Sequence, residues 1–147
     1  MKSWNIPPSY FFASLLAIVL VFFWLPTTNL IVFPFNLCGI ALIFIGLGLA
    51  GRSKDIFKAN ETPHNFDEPN KLVTTGIYSK SRNPMYGGML LFIVGFAICF
   101  QNVVGLMIPL LFFLVINYLF IPFEENRMKK YFGTEYLEYK KRVGRWF

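Results

Sequence analysis

Cysteine and histidine, which supply the ligands of most zinc sites, are scarce in this sequence. The 147 residues include two cysteines and one histidine, His64. Because His64 has no cysteine or histidine neighbour at ligand spacing, the sequence excludes a zinc site of the usual kind, and we expect no metal. It also has no Ser-His-Asp arrangement, phosphate-binding loop or dinucleotide fingerprint. Metal hydrolysis, covalent serine catalysis and nucleotide hydrolysis are therefore poorly supported.

Charge is also sparse, and apolar residues dominate. Charged residues make up 15% of the chain, whereas 55% is hydrophobic, 19% is aromatic and 18 residues are phenylalanine. This composition is too apolar for an ordinary soluble domain. The net charge of +6 could indicate nucleic-acid binding. No basic stripe stands clear of the apolar runs, however, so we expect a single domain, residues 1–147, with the membrane bilayer as its solvent and no nucleic-acid partner.

Four apolar segments cover most of the chain, at about residues 10–25, 30–51, 85–100 and 103–123. A membrane-spanning helix needs about 20 apolar residues. The second and fourth segments reach that length, and the first and third must borrow flanking residues. The expected fold is an all-α integral membrane protein with four transmembrane helices, in which a tight turn at Gln101-Asn102 joins the third and fourth as a helical hairpin.

The 14 lysines and arginines fall on one side of this four-helix arrangement. They comprise Lys2, a group within residues 52–84 and a group after Phe123, and there are none at residues 26–29 or at Gln101-Asn102. The positive-inside rule then predicts that both termini and the middle loop are cytoplasmic. We expect a multi-pass protein of a bacterial-type plasma membrane. A cleaved signal peptide is disfavoured, because Trp24-Leu25-Pro26 does not resemble a small-residue cleavage site.

Small residues in the second segment predict close helix packing, and the C-terminal region predicts a surface helix. The small residues are Gly39, Gly46, Gly48, Ala50 and Gly51. Near the C-terminus, Gly133 is expected to end one helix and Thr134 to cap an amphipathic helix on the cytoplasmic membrane surface. Its apolar stripe would be Phe132, Tyr136, Tyr139 and Val143, with Lys140, Lys141 and Arg142 facing elsewhere and Arg145-Trp146-Phe147 as an anchor. This helix would serve either as an anchor or as a lid, and residues 52–71 are expected to form a loop across the site.

Two polar patches flank the predicted hairpin, residues 70–86 before it and Glu124-Glu125 after it. Counted from the turn, equal helical rise places Pro84 level with about Phe120, so the patches should meet. Asn83-Pro84 is typical of an N-cap followed by a first helical residue. The amides of the next two residues, Met85 and Tyr86, would then lie unpaired at the positive helix end.

Two interpretations of the acidic pair remain open. Glu124 and Glu125 would add negative charge to the negative end of the fourth helix, which is unfavourable unless it is compensated. They are either solvated or paired with Arg82, Lys80 or Lys129, or they bind a ligand that carries both signs of charge. S-adenosylmethionine, with a carboxylate, an ammonium and a sulfonium, would suit such a site, although spacing alone does not identify it.

The two patches together resemble a known family. The pattern LV-x-x-G-x-Y-x-x-x-R-N-P-x-Y, followed by a membrane hairpin and EENRMKKYFGTEYLEYKKRV, is similar to the isoprenylcysteine carboxyl methyltransferase and phospholipid methyltransferase superfamily of integral-membrane enzymes. The motifs cover residues 70–86 and 124–143. The resemblance implies methyl transfer from S-adenosylmethionine to a lipophilic small molecule or lipid at the cytoplasmic membrane face. The implied cofactor contacts are Lys71, Leu72, Val73, Tyr78, Asn83, Pro84, Met85, Tyr86 and Glu124.

Other roles implied by the resemblance are less specific. The candidate catalytic residues are Arg82, Asn83 and Glu125. Tyr78 and Tyr86 would offer aromatic faces to the sulfonium, or else serve as tyrosines of the membrane-interface belt.

Two positions depart from the carboxyl methyltransferases, which carry histidine where this chain has Asn83 and arginine where it has Phe120. Without that arginine a carboxylate acceptor loses its obvious partner. An amine, a thiol or a phospholipid head group is therefore as well supported as a carboxylate. The alternative function is a non-catalytic membrane protein, either a degenerate family member or an assembly partner.

Overall fold

A computed structural model describes residues 7–25, 31, 33–60 and 71–147. Every regular element within these residues is helical. The five α-helices are α1 (Pro7–Trp24), α2 (Cys38–Ala59), α3 (Pro84–Phe100), α4 (Val103–Val115) and α5 (Ile121–Arg142). Short 3₁₀ turns at Phe35–Leu37 and Gly76–Ser79 precede α2 and α3, and a π-helix, Ile116–Phe120, joins α4 to α5.

Three helical stretches in the described residues are long and apolar enough to cross a membrane. They are Pro7–Trp24, Phe35–Ala59 and Val103–Arg142, and Pro84–Phe100 is a shorter apolar helix. This supports a multi-pass membrane protein. The count of four spans and the placement of both termini in the cytoplasm stay predictions.

The hairpin between α3 and α4 forms as the sequence predicts. Gln101 takes the left-handed conformation, φ 54°, that ends α3. Asn102 caps the start of α4, and its Oδ1 accepts hydrogen bonds from the amides of Val104 at 2.9 Å and Gly105 at 3.3 Å. These bonds satisfy two of the amides that a helix start leaves unpaired. The tight turn brings the beginning of α3 beside the end of the α4 stretch.

Small residues allow α2 to pack closely against α3, as the sequence predicts for Gly39 and Gly46. A Cβ on Gly46 would lie 2.6 Å from the carbonyl oxygen of Gly88, and Gly88 in turn faces Ala50. Gly39 also lies on this packed face, whereas Gly48 and Gly51 have nothing within 4 Å among the described residues. The prediction for Gly48 and Gly51 is therefore wrong. Gly48 follows Gly46 by two residues, about 200° around the helix, and so cannot share its contact face.

Two expected boundaries differ from the structure. The second apolar segment was expected at residues 30–51, but α2 begins at Cys38 and continues to Ala59. Residues 52–59, expected to open a loop across the site, are thus helical. The remainder of that expected loop, residues 61–70 with His64, lies outside the described residues.

The fourth segment also continues past its expected end at residue 123. The π-helix passes directly into α5, which runs to Arg142 with one break at Gly133, where φ is 52° and ψ −121°. The helix break predicted at Gly133 is confirmed. Because Glu124 and Glu125 lie within a continuing helix rather than at a helix end, the expected conflict with the helix dipole does not arise.

Candidate functional site

The two polar patches meet at the open end of the hairpin. The hydroxyl of Tyr86, in the first turn of α3, donates a hydrogen bond to Oε1 of Glu124 in α5. Tyr86 is 5% exposed and packs in the same core as Phe120. The prediction that Pro84 lies level with about Phe120 is therefore close to the observed packing. The two polar patches form one cluster.

Glu125 lies at the centre of a charge cluster. Its Oε1 is 2.9 Å from Nη1 of Arg82, and both side chains are 9% exposed. Its Oε2 is 2.6 Å from Nζ of Lys140 and 3.3 Å from Nη2 of Arg145. Breaking such a buried pair by removing one partner is far more costly than the pair is stabilising. The interpretation in which the acidic pair binds neighbouring cations such as Arg82 is thus confirmed for Glu125.

Arg82 has a buried donor that the cluster does not use. Its Nη1 bonds Glu125 and lies 3.5 Å from the hydroxyl of Tyr136. Its Nε is buried and has no hydrogen-bond partner among the described residues. A buried donor without a partner is costly, so this atom is a position at which an acceptor oxygen of a bound molecule would be stabilised.

Tyr78 is buried beside the same cluster. Its ring contacts Phe57 edge-on at 5.1 Å between centroids, and its carbonyl accepts a hydrogen bond from the Tyr139 hydroxyl at 2.6 Å. Burial raises the pKa of the Tyr78 phenol well above its ordinary value, and the charges of Tyr139 and Glu124 raise it further. A hydrogen bond with Ser53 opposes that rise in pKa. Since Tyr78 and Tyr86 are both buried in the protein, they are not residues of an interface belt.

The start of α3 has both predicted residues, with Asn83 at the N-cap position and Pro84 at the start of the helix. Pro84 is in the first turn of α3, and the first hydrogen bond within the helix runs from the Gly87 amide to the Asn83 carbonyl at 3.1 Å. The amides of Met85 and Tyr86 precede that bond. In the described part of the chain the Asn83 side chain makes no capping bond, and its Nδ2 donates instead to the Arg145 carbonyl at 3.1 Å. The predicted N-cap position of Asn83 is therefore confirmed, but its side chain binds the tail instead of the helix amides.

Residues 71–73 differ in burial. Lys71 is exposed, Leu72 is half-buried and Val73 is 7% exposed. They lead into the 3₁₀ turn that carries Tyr78. Their role as cofactor contacts stays a prediction.

Sequence reasoning missed the part that the C-terminal tail plays. Lys140 was expected only to face away from the apolar stripe of its helix, and it contacts Glu125. Arg145 and Trp146 were expected to anchor the chain in the membrane surface, yet both side chains hydrogen-bond to Asn117. The available signal was that Arg145 and Trp146 lie just after the motif that ends at residue 143. Nothing in that position pointed to Asn117.

Phe120 occupies an apolar position. It is 7% exposed, and its ring meets that of Tyr10 in α1 edge-on at 5.2 Å between centroids. Nearby in the sequence, Cζ of Arg127 lies 5.8 Å from the Phe123 ring centroid. The position that bears arginine in carboxyl methyltransferases is thus part of the hydrophobic core here.

A comparison with known protein families gives a match that includes both ends of the hairpin. A family model described as phospholipid methyltransferase matches residues 34–135. This chain belongs to the phospholipid methyltransferase family. The family match includes α2 to α4, Tyr86 and both glutamates, and it ends before Tyr136 and the C-terminal tail.

Several similar proteins are named as isoprenylcysteine methyltransferases, the other half of the superfamily that the motifs resemble. Protein-S-isoprenylcysteine O-methyltransferase B of Arabidopsis thaliana is 38% identical over 80 residues, 52% of this chain and 39% of that protein. Isoform A of the same plant is 37% identical over 82 residues, 54% of this chain and 40% of that protein. The Saccharomyces cerevisiae protein-S-isoprenylcysteine O-methyltransferase is 38% identical over 76 residues, 50% of this chain and 30% of that protein. The chain thus spans less than half the length of these relatives, and the predicted superfamily is confirmed.

Proposed function

We propose that this protein transfers a methyl group from S-adenosylmethionine to a lipophilic acceptor at the cytoplasmic face of a membrane. The observation that carries the proposal is the contact between Tyr86 and Glu124. It joins the two halves of the motif at the mouth of an apolar hairpin, where a soluble donor and a membrane-bound acceptor could both arrive. Membership of a methyltransferase family and the names of the relatives support it.

The donor set of the cluster fits the charges of S-adenosylmethionine. Glu124 offers a carboxylate to a cation, and the amides of Met85 and Tyr86 at the start of α3 offer donors to an anion. The buried Nε of Arg82 supplies one more donor. Bound there, S-adenosylmethionine would supply an electrophilic methyl group on its sulfonium. Lys71, Leu72, Val73, Tyr78, Asn83 and Pro84 complete the proposed cofactor site.

The protein's own contribution would be positioning. Methyl transfer to a nucleophile requires proximity, alignment and exclusion of water more than a covalent enzyme intermediate. Glu125 is held by Arg82, Lys140 and Arg145, and Asn83 is held by the tail. We therefore assign Arg82, Asn83 and Glu125 to holding the geometry of the site rather than to proton transfer.

The acceptor that this site favours is an amine, a thiol or a phospholipid head group. Phe120 places an aromatic ring where carboxyl methyltransferases have a cation, and Arg82 is already paired with Glu125. A carboxylate acceptor would thus lack a cation at the position where those enzymes provide one. The apolar helices beside the cluster suit a long hydrocarbon chain that enters from the bilayer.

The alternative is a non-catalytic role. The observation in its favour is the hydrogen bond between Asn83 and the tail, because it engages a side chain of the motif in a structural contact. Membranes with and without the protein, incubated with methyl-labelled S-adenosylmethionine, separate the two functions. The proposal expects protein-dependent label in a lipid or small-molecule fraction. Binding of the donor without transfer to any membrane fraction would favour the non-catalytic role.

A further inference from the structure

The C-terminal tail, residues 143–147, runs back over the site instead of continuing α5. Val143 leaves the helix in an extended conformation, φ −120° and ψ 130°. The carbonyl of Gly144 then accepts from the Arg82 amide at 3.0 Å. The Arg145 carbonyl accepts from the Ser81 hydroxyl at 3.2 Å and from Asn83 Nδ2 at 3.1 Å. The tail backbone thus binds the segment that immediately precedes α3.

The Arg145 side chain binds the opposite half of the site. Its Nη2 lies 3.3 Å from Oε2 of Glu125, and its Nη1 lies 3.3 Å from Oδ1 of Asn117. Trp146 donates from Nε1 to the same Asn117 oxygen at 3.0 Å, and its ring lies 5.3 Å from that of Phe113. One residue therefore joins both motif halves, through its carbonyl to one and its guanidinium to the other.

The π-helix explains why a binding site for Arg145 exists. The Ile121 amide donates to Ile116, five residues back, rather than to Asn117. In that register the next donor for the Asn117 carbonyl would be residue 122, a proline, which has no amide hydrogen. Nη1 of Arg145 lies 3.4 Å from that carbonyl oxygen. The π-turn and Pro122 together thus present a backbone acceptor to the tail.

We propose that Arg145 is a positioning residue for the methyl-donor site. It fixes Glu125, and with it the neighbouring Glu124, at a set distance from residues 81–86. The guanidinium suits this role because its planar donors reach the carboxylate and the Asn117 oxygens together, which a lysine ammonium cannot do in the same geometry. This inference rests on the proposed function, since it assigns Arg145 to the same donor site.

The test measures S-adenosylmethionine affinity by calorimetry on the full chain in detergent. Arg145→Met should weaken binding by about tenfold, the effect of losing one charge-assisted hydrogen-bond set. Arg145→Lys should fall between Arg145→Met and wild type. Lys140→Met, which removes another cation from Glu125 without touching Asn117, should have a smaller effect, and the exposed Lys141→Met should have none. The melting temperatures of these variants are recorded alongside.

Each outcome decides the inference. Weakening confined to the Arg145 variants at unchanged melting temperature supports it. Wild-type affinity in folded Arg145→Met, or an equal loss in Lys140→Met, overturns it and leaves the proposed function standing. If Arg145→Met does not fold, folded Arg145→Lys decides, and wild-type affinity in that variant overturns the inference. Failure of the wild-type chain itself to bind the donor would instead overturn the proposed function.

Discussion

Tyr86 donates its phenolic hydrogen to Glu124 across 38 positions of sequence. One residue lies in the first turn of α3 and the other in α5, so the bond closes the open end of the α3–α4 hairpin. A carboxylate removed from water is costly unless it is hydrogen-bonded. Burial raises the pKa of the Glu124 carboxyl to about 7, and the hydrogen bond from Tyr86 opposes that rise.

Removing the Tyr86 hydroxyl should destabilise the protein. We expect Tyr86→Phe to cost about 1–3 kcal/mol, because Glu124 loses a donor while remaining partly buried. The measurement is the melting temperature in detergent. Tyr118→Phe is the matched control, since Tyr118 is 68% exposed. Equal melting temperatures for wild type and Tyr86→Phe would show that the bond contributes nothing to stability.

The packing of α2 on α3 gives a second prediction. Gly46→Ala places a Cβ 2.6 Å from the Gly88 carbonyl oxygen, so the helices must separate. We expect a loss of about 1–3 kcal/mol, typical of overpacking, and a lower melting temperature. Gly48→Ala, with no atom within 4 Å of its Cβ in the described residues, is the control and should be neutral or stabilising. The account of helix packing fails if the two variants behave alike.

The charge distribution predicts the orientation of the chain in the membrane. Reporter fusions after Asn29 and Gln101 should give the external signal, and fusions after Asp67 and at the C-terminus the cytoplasmic one. A cytoplasmic signal from the Asn29 fusion would contradict the four-span topology.

The acceptor preference can be tested with molecules that share one lipid tail and end in a carboxylate, an amine or a thiol. Because Phe120 provides no cation, we expect little or no methylation of the carboxylate, including farnesylcysteine analogues. Product formation for each acceptor is the measurement. Preferential methylation of the carboxylate would contradict this expectation and would point to Arg82 or Arg127 as its partner, while the methyltransferase assignment would stand.

The hairpin and the meeting of the two patches were predictable because they depend on local chemistry. Pro84 has a backbone suited to a helix start, Asn102 caps the next helix, and equal helical rise fixes which residues lie opposite each other. The break at Gly133 was predictable for the same reason, since glycine takes positive φ without steric cost.

Helix ends in polar sequence and the path of the tail were not predictable in this way. Residues 52–59 and 124–142 are helical although they follow the ends of apolar runs, because the hydrophobic pattern reports burial rather than backbone conformation. Arg145 reaches Asn117 and Glu125 through contacts between distant positions in the sequence. Such contacts depend on tertiary packing, and on a π-turn that no single residue type announces.

The central claim is that Glu124 is part of a methyl-donor site, and titration of the detergent-solubilised protein with S-adenosylmethionine tests it most directly. We predict that the wild-type chain binds the donor and that Glu124→Gln, which removes charge but little volume, loses about 1.5–3 kcal/mol of binding free energy. The exposed Glu138→Gln should bind like wild type. Absence of binding by the wild-type chain, or equal affinity in Glu124→Gln, would contradict the account.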